Sequence, residues 1–133
     1  MPANKILVGI VGPCGSGKST LIAALQSHSF ACRHIAQEHS YVKDMWKRIT
    51  NPDVLIFLQA SFQVCTTRRH LNWNESDYAE QQRRLAHALA HAHLVVNTDN
   101  LTPPDVAQRV LEFLGKSEFI IQNSRSIISR RLP

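Results

Sequence analysis

Short apolar runs alternate with apolar faces at helical spacing along this chain. Lys5 to Val11 reads KILVGIV, an apolar, β-branched run of strand length. Leu21, Ile22 and Leu25 follow at helical spacing within KSTLIAALQS, and polar Ser27 to Ser29 closes that element. Ala31 to Gln37 is a weaker strand pattern that runs directly into Glu38-His39-Ser40. Asp44 to Ile49 suits one or two helical turns before the break at Asn51-Pro52-Asp53. Val54 to Leu58, VLIFL, is continuously apolar, as expected of a strand covered on both faces. Ser61 is positioned to cap a helix running to about His70. After the interruption at Leu71 to Asn74, a longer helix is predicted over Glu75 to Ala92, with Ser76 as its cap. Leu94 to Val96 is a short buried strand. Thr102 caps the last helix and Pro103 takes its first position. Val106, Val110, Leu111, Phe113 and Leu114 share one face of that helix, and Gly115 is expected to end it.

This alternation predicts an α/β fold, with a parallel β-sheet sandwiched by helices. A length of 133 residues with 44% hydrophobic residues fits one domain. From Lys116 onward the pattern changes: residues 116–133 mix Phe119, Ile120, Ile121, Ile127 and Ile128 with Arg125, Arg130 and Arg131. That segment reads as a packed appendage, a partner-binding or oligomerising segment, or a loosely held tail. The net charge of +5 suits anionic ligands, nucleotides included. A nucleic-acid role would rest on composition alone and is not expected. The three cysteines, Cys14, Cys32 and Cys65, have no metal-ligand spacing. Their odd number, without a signal-peptide pattern or an apolar run of membrane length, leads us to expect a cytoplasmic protein with reduced thiols and no membrane partner.

One stretch carries specific chemistry. Gly12-Pro13-Cys14-Gly15-Ser16-Gly17-Lys18-Ser19 fits G-x-x-x-x-G-K-[ST] at every fixed position, between a strand and a helix. The glycines let successive backbone N–H groups turn inward, so loop and helix N-terminus form an anion hole for phosphates. Gly12 through Ser19, with Thr20 at the start of the helix, are the expected nucleotide-binding residues. Lys18 would contact the β- and γ-phosphates, and the Ser19 hydroxyl would ligate Mg²⁺. A buried Lys in so tight a loop demands an anion beside it.

On these residues the chain resembles the P-loop kinases, the group that includes nucleoside, nucleotide, adenylylsulfate and dephospho-coenzyme A kinases. Pro52 to Leu58 is similar to the strand that precedes their lid, Thr67-Arg68-Arg69 to the arginine-bearing lid, and Val95 to Asp99 with Leu101-Thr102-Pro103 to their last strand and closing helix. The resemblance implies a kinase-like P-loop NTPase domain over residues 1–115, with a reduced number of strands, and a C-terminal extension over 116–133. It departs from the group in two places. Little chain lies between Phe30 and Asn51, where those kinases insert a substrate-binding region. Gln59 stands where they carry an acid, which leaves Glu38 as the acid expected to manage Mg²⁺ with Ser19 and to accept the proton of the acceptor.

The function implied is an ATP·Mg²⁺-dependent phosphotransferase acting on a small acceptor. Lys18, Glu38, Arg69 and Arg83 are its expected catalytic residues, the arginines swinging in from a lid; Arg68 and Arg84 are the weaker choices. The alternative is a nucleotide-binding regulatory module or slow NTPase without kinase activity, signalling through the C-terminal segment, which is also the candidate for bringing copies together. A GTPase fits less well, because Asn97-Thr98-Asp99 lacks the Asn-Lys-x-Asp spacing that reads guanine. Trp46 reads as a core cover or a base-stacking platform. His87 and His91, at i and i+4, read as a helix surface with adventitious metal affinity, and Cys14 as a small filler of the loop or a redox-sensitive thiol.

Overall fold

The computed structural model describes residues 6–115. Strands β1 (Leu7–Val11), β2 (Ala31–His34), β3 (Val54–Gln59) and β4 (Leu94–Asn97) form one sheet. Their order is β2-β1-β3-β4 and every neighbouring pair is parallel. Register places Ile10 between His34 and Ile56, and Phe57 between Val11 and Val95.

Helices α1 (Lys18–Ser27), α2 (Phe62–Arg69), α3 (Glu75–His91) and α4 (residues 103–115) connect or follow the strands. The unbroken apolar run of β3 is explained by cover on both faces. Val54, Ile56 and Leu58 pack with Ile6, Val8 and Ile10 of the first strand region, Leu21 and Leu25 of α1, and Val106, Val110 and Leu114 of α4. Leu55 and Phe57 turn the other way, onto Leu85 and Ala88 of α3, with Ile35 and Trp46. Burying one such side chain contributes roughly 1.5–3 kcal/mol, so both faces are held by several.

Local chemistry sets the helix ends. Ser61 caps α2 by accepting from Val64 N at 3.3 Å, and His70 ends it in the left-handed region. The cap of α3 is Asn74 rather than Ser76. Asn74 Oδ1 accepts from Asp77 N at 2.9 Å and Asp77 Oδ2 accepts from Asn74 N at 3.0 Å, a capping box that Ser76 could not make. Thr102 and Asp105 make the same reciprocal pair at the start of α4. Gly115 is still helical and is the last residue described. The readings made for residues 116–133 lie outside the described residues.

β2 stops at His34, earlier than the predicted Gln37, because the chain turns at Gln37–His39 in a single 3₁₀ turn. Trp46–Thr50 forms a wide π-type turn closed by Asn51 at positive φ. Among the described residues no helix is long and apolar enough to cross a membrane.

The chain leaves β1 toward β2 on one side, then crosses back to β3 on the other. The crevice at the carboxyl ends of the strands beside such a reversal is where open parallel sheets bind ligands.

Candidate functional site

A cavity of about 550 Å³ opens at that crevice. Cys14 through Thr20 line one wall, Glu38 and His39 another, and Arg68, Arg69 and Thr98 a third. Gly12 and Pro13 stand behind this lining and shape it. Gly12 passes so close to β3 that a Cβ there would lie 2.4 Å from Leu58 O. At Gly15, φ is +86°, and a Cβ would meet Cys65 O at 2.7 Å. The first intrahelical bond of α1 runs from Leu21 N to Gly17 O at 3.1 Å. The N–H groups of Lys18, Ser19 and Thr20 precede it and have no intrahelical acceptor, so the positive end of the helix faces the cavity.

Lys18 is buried, yet its ammonium is fully engaged. It donates to Gly12 O at 2.7 Å and to Pro13 O at 3.1 Å, and it pairs with Glu38 Oε2 at 3.0 Å. The anion that a buried Lys demands is therefore supplied by the chain itself. Glu38 is brought there by Gln37, a buried polar residue whose role the sequence did not suggest. Gln37 Nε2 donates to Val42 O at 2.8 Å and Gln37 Oε1 accepts from Trp46 N at 2.9 Å, which pins the turn bearing Glu38. Two buried oxygens of the site have no hydrogen-bond partner among the described residues: Ser16 Oγ and Glu38 Oε1.

The arginines divide sharply. Arg69 lines the cavity, its stem against Gly15. Arg68 also lines it, but its guanidinium is held by Thr98 O at 2.7 Å, Thr98 Oγ1 at 2.9 Å and Gly15 O at 3.3 Å. Arg83 lies outside the cavity, on an exposed face of α3, where Nε donates to Glu80 at 3.0 Å. Arg84 donates to the other Glu80 oxygen at 3.1 Å and stacks over Tyr41. The two arginines paired as a lid in the sequence reading are thus not brought together.

Cys14 is more than filler. Its N–H donates to Gln81 Oε1 at 3.0 Å, and Gln81 Nε2 donates back to Cys14 Sγ at 3.3 Å. His39 Nε2 lies 3.4 Å from the same sulfur and Glu38 Oε2 lies 4.0 Å from it. No spacing in the sequence hints at this cluster. His34, also on the cavity wall, titrates below the ordinary histidine range, because burial and then the Lys18 charge disfavour its protonated form. Burial pushes the Cys65 thiol, behind the loop, up to about 11.

Trp46 is a core cover: it is buried beneath α3 and its Nε1 donates to His87 Nδ1 at 3.1 Å. His87 and His91 stack on each other with ring centroids 4.2 Å apart. Compared with models of known protein families and with curated proteins, the chain matches none of them.

Proposed function

We propose that this chain binds ATP as its Mg²⁺ complex on the glycine loop and moves the γ-phosphoryl group to a small acceptor. The observation that carries this reading is the cavity itself. Its walls bring together the unengaged N–H groups of α1, the buried Lys18 ammonium and the Glu38 carboxylate. Loop N–H groups and the helix dipole attract phosphate oxygens. The fit of a cation is supported by Glu38 Oε1, buried without a partner among the described residues, and by Ser19, which lines the same cavity. Ser19 and Glu38 would hold Mg²⁺, which supplies neutralisation of the phosphate charge.

The chain's own residues do the rest. An arriving phosphate competes with Glu38 for the Lys18 ammonium. Once Lys18 turns to it, Glu38 is free to take the proton of the acceptor hydroxyl as that oxygen bonds to phosphorus and the bond to ADP breaks. Arg69, the cavity arginine whose guanidinium has no hydrogen-bond partner among the described residues, matches the developing charge.

A second reading, a binding module or slow NTPase, is favoured by one specific observation. Of the expected pair Arg69 and Arg83, only Arg69 reaches the cavity, and Arg68 is tied to Thr98. Calorimetric and thermal-shift titration with ATP and Mg²⁺ tests the binding common to both. The parent should gain roughly 2.7 kcal/mol at ~100 times its dissociation constant. Lys18→Ala should lose most of that increment, each protein being compared with its own ligand-free baseline. Equal increments would reject the loop as the site.

A further inference from the structure

The proposed phosphotransferase uses Glu38 and Lys18 but gives no work to the side chains of Cys14, His39 or Gln81. The Cys14 and His39 side chains converge on the Glu38 carboxylate, and Gln81 holds Cys14. Sγ of Cys14 and Nε2 of His39 are 3.4 Å apart, His39 Nε2 and Glu38 Oε2 are 3.8 Å apart, and Cys14 Sγ and Glu38 Oε2 are 4.0 Å apart. All three ligand atoms lie within 4.8 Å of one another. A tetrahedral zinc ion with ordinary bond lengths spaces its N, O and S ligands by about 3.3–3.6 Å. The cluster needs to contract by only about half an ångström to reach that spacing.

We propose that Cys14, Glu38 and His39 form a binding site for a divalent cation of the zinc class, its fourth coordination position open to the cavity. Three features support the choice of cation. A thiolate among the ligands selects a soft or borderline ion and discriminates against magnesium. Three protein ligands beside an open cavity leave one position for water or another small ligand. Glu38, nearly fully buried on the cavity wall, presents Oε2 to the cluster, where Lys18 also reaches it at 3.0 Å, while its Oε1 has no partner among the described residues. Gln81 completes the arrangement by holding the Cys14 backbone and sulfur from opposite ends of one amide. Binding releases the thiol proton to solvent, and the thiolate and carboxylate together balance the charge of the ion.

The cation and the Lys18 ammonium address the same carboxylate oxygen. On the proposed nucleotide reading, a loaded site therefore opposes the magnesium–nucleotide complex, and zinc-class ions inhibit. The site itself does not depend on that reading, and it is tested without nucleotide.

Cobalt(II) is titrated into the metal-free full chain and followed by absorption. The expected result is one equivalent bound, with a thiolate-to-cobalt charge-transfer band that zinc abolishes by displacement. Cys14→Ser should lose the band, and His39→Ala, at an exposed position, should bind at least ~10-fold more weakly. Gln81→Leu should weaken binding by about 10–100-fold, as loss of a group orienting a ligand does. Cys32→Ser and His87→Ala should behave as the parent, and circular dichroism confirms that each variant is folded. A parent without the band, or a folded Cys14→Ser variant that keeps it, would overturn the site.

Discussion

The two basic walls of the cavity are built on opposite terms. The floor carries one lysine, Lys18, buried and held by two carbonyls and the equally buried Glu38. The α2 side carries two arginines, Arg68 and Arg69, and the neighbouring surface of α3 adds Arg83 and Arg84, which lie outside the cavity and share Glu80. Charge count alone would rank the second wall as the stronger anion site. Burial reverses that ranking. A surface ion pair is worth about 0–1 kcal/mol, whereas a buried charge left without its partner costs several. The floor is where the protein has committed free energy to holding a cation in place. The arginine wall is where a residue can move cheaply.

The largest effect expected from this contrast is on stability. Lys18→Met or Glu38→Leu, each alone, should destabilise the ligand-free protein by about 3–5 kcal/mol, because each strands a buried charge. The double substitution should recover most of that loss, since apolar replacement of a whole buried pair is often neutral. Urea denaturation of the four proteins measures the cycle. Additive losses in the double variant would show that the two groups do not act as a pair.

Next comes turnover, which sharpens the contrast within the arginine wall. If the chain is a phosphotransferase, Arg69→Ala should cut phosphate release by about 10³-fold, the lower end of what an arginine contacting the transition state supplies. Nucleotide affinity should fall far less. Arg83→Ala should leave both within about twofold and change stability by no more than about 1 kcal/mol, the ceiling for an exposed pair. Parent-like release from Arg69→Ala would remove the lid arginine and leave nucleotide binding as the function.

The smallest effect concerns the loop's rigidity. Gly15→Ala forces a Cβ onto Cys65 O at a φ of +86°, so either the loop or α2 must shift. We expect a loss of about 1–3 kcal/mol in stability, the usual cost of such backbone strain. We also expect weaker nucleotide binding, because both the cradle and Arg69 rest on that contact. Binding at parental affinity would mean that the loop tolerates a shift toward the cavity.

Much of this organisation was legible in the chain as written. The strand, glycine loop and helix around Lys18 are local, and their signals are dense: a β-branched run, Gly12, Gly17, Lys18 and Ser19 at fixed offsets, and a helical face. VLIFL announced a strand covered on both sides, and α1 with α4 on one face and α3 on the other supply that cover. The resemblance singles out Glu38 once Gln59 stands in the acid's usual place, and Glu38 lies 3.0 Å from Lys18. The same local logic failed where neighbours compete. Asn74 and Ser76 are both good caps, and only the reciprocal bond with Asp77 separates them.

What the sequence determined by itself is therefore the chemistry of short-range elements: which residues make the loop, which runs are strands, and which faces are apolar. Only the tertiary structure decided which side chains share the cavity. Arg68 and Arg69 are neighbours about 100° apart on one helix, and no pattern in the chain says which of them turns to Thr98 and which to the loop. Cys14 meets His39 and Gln81 across 25 and 67 residues, through the parallel crossing of β1 and β2 and the return of α3. Such meetings depend on sheet order and helix phase, which are set by packing of the whole core and not by any local preference. The reach of Gln37, the pairing of Lys18 with Glu38 and the thiol cluster beside them follow from that packing, because buried polar groups must find partners wherever the fold brings them.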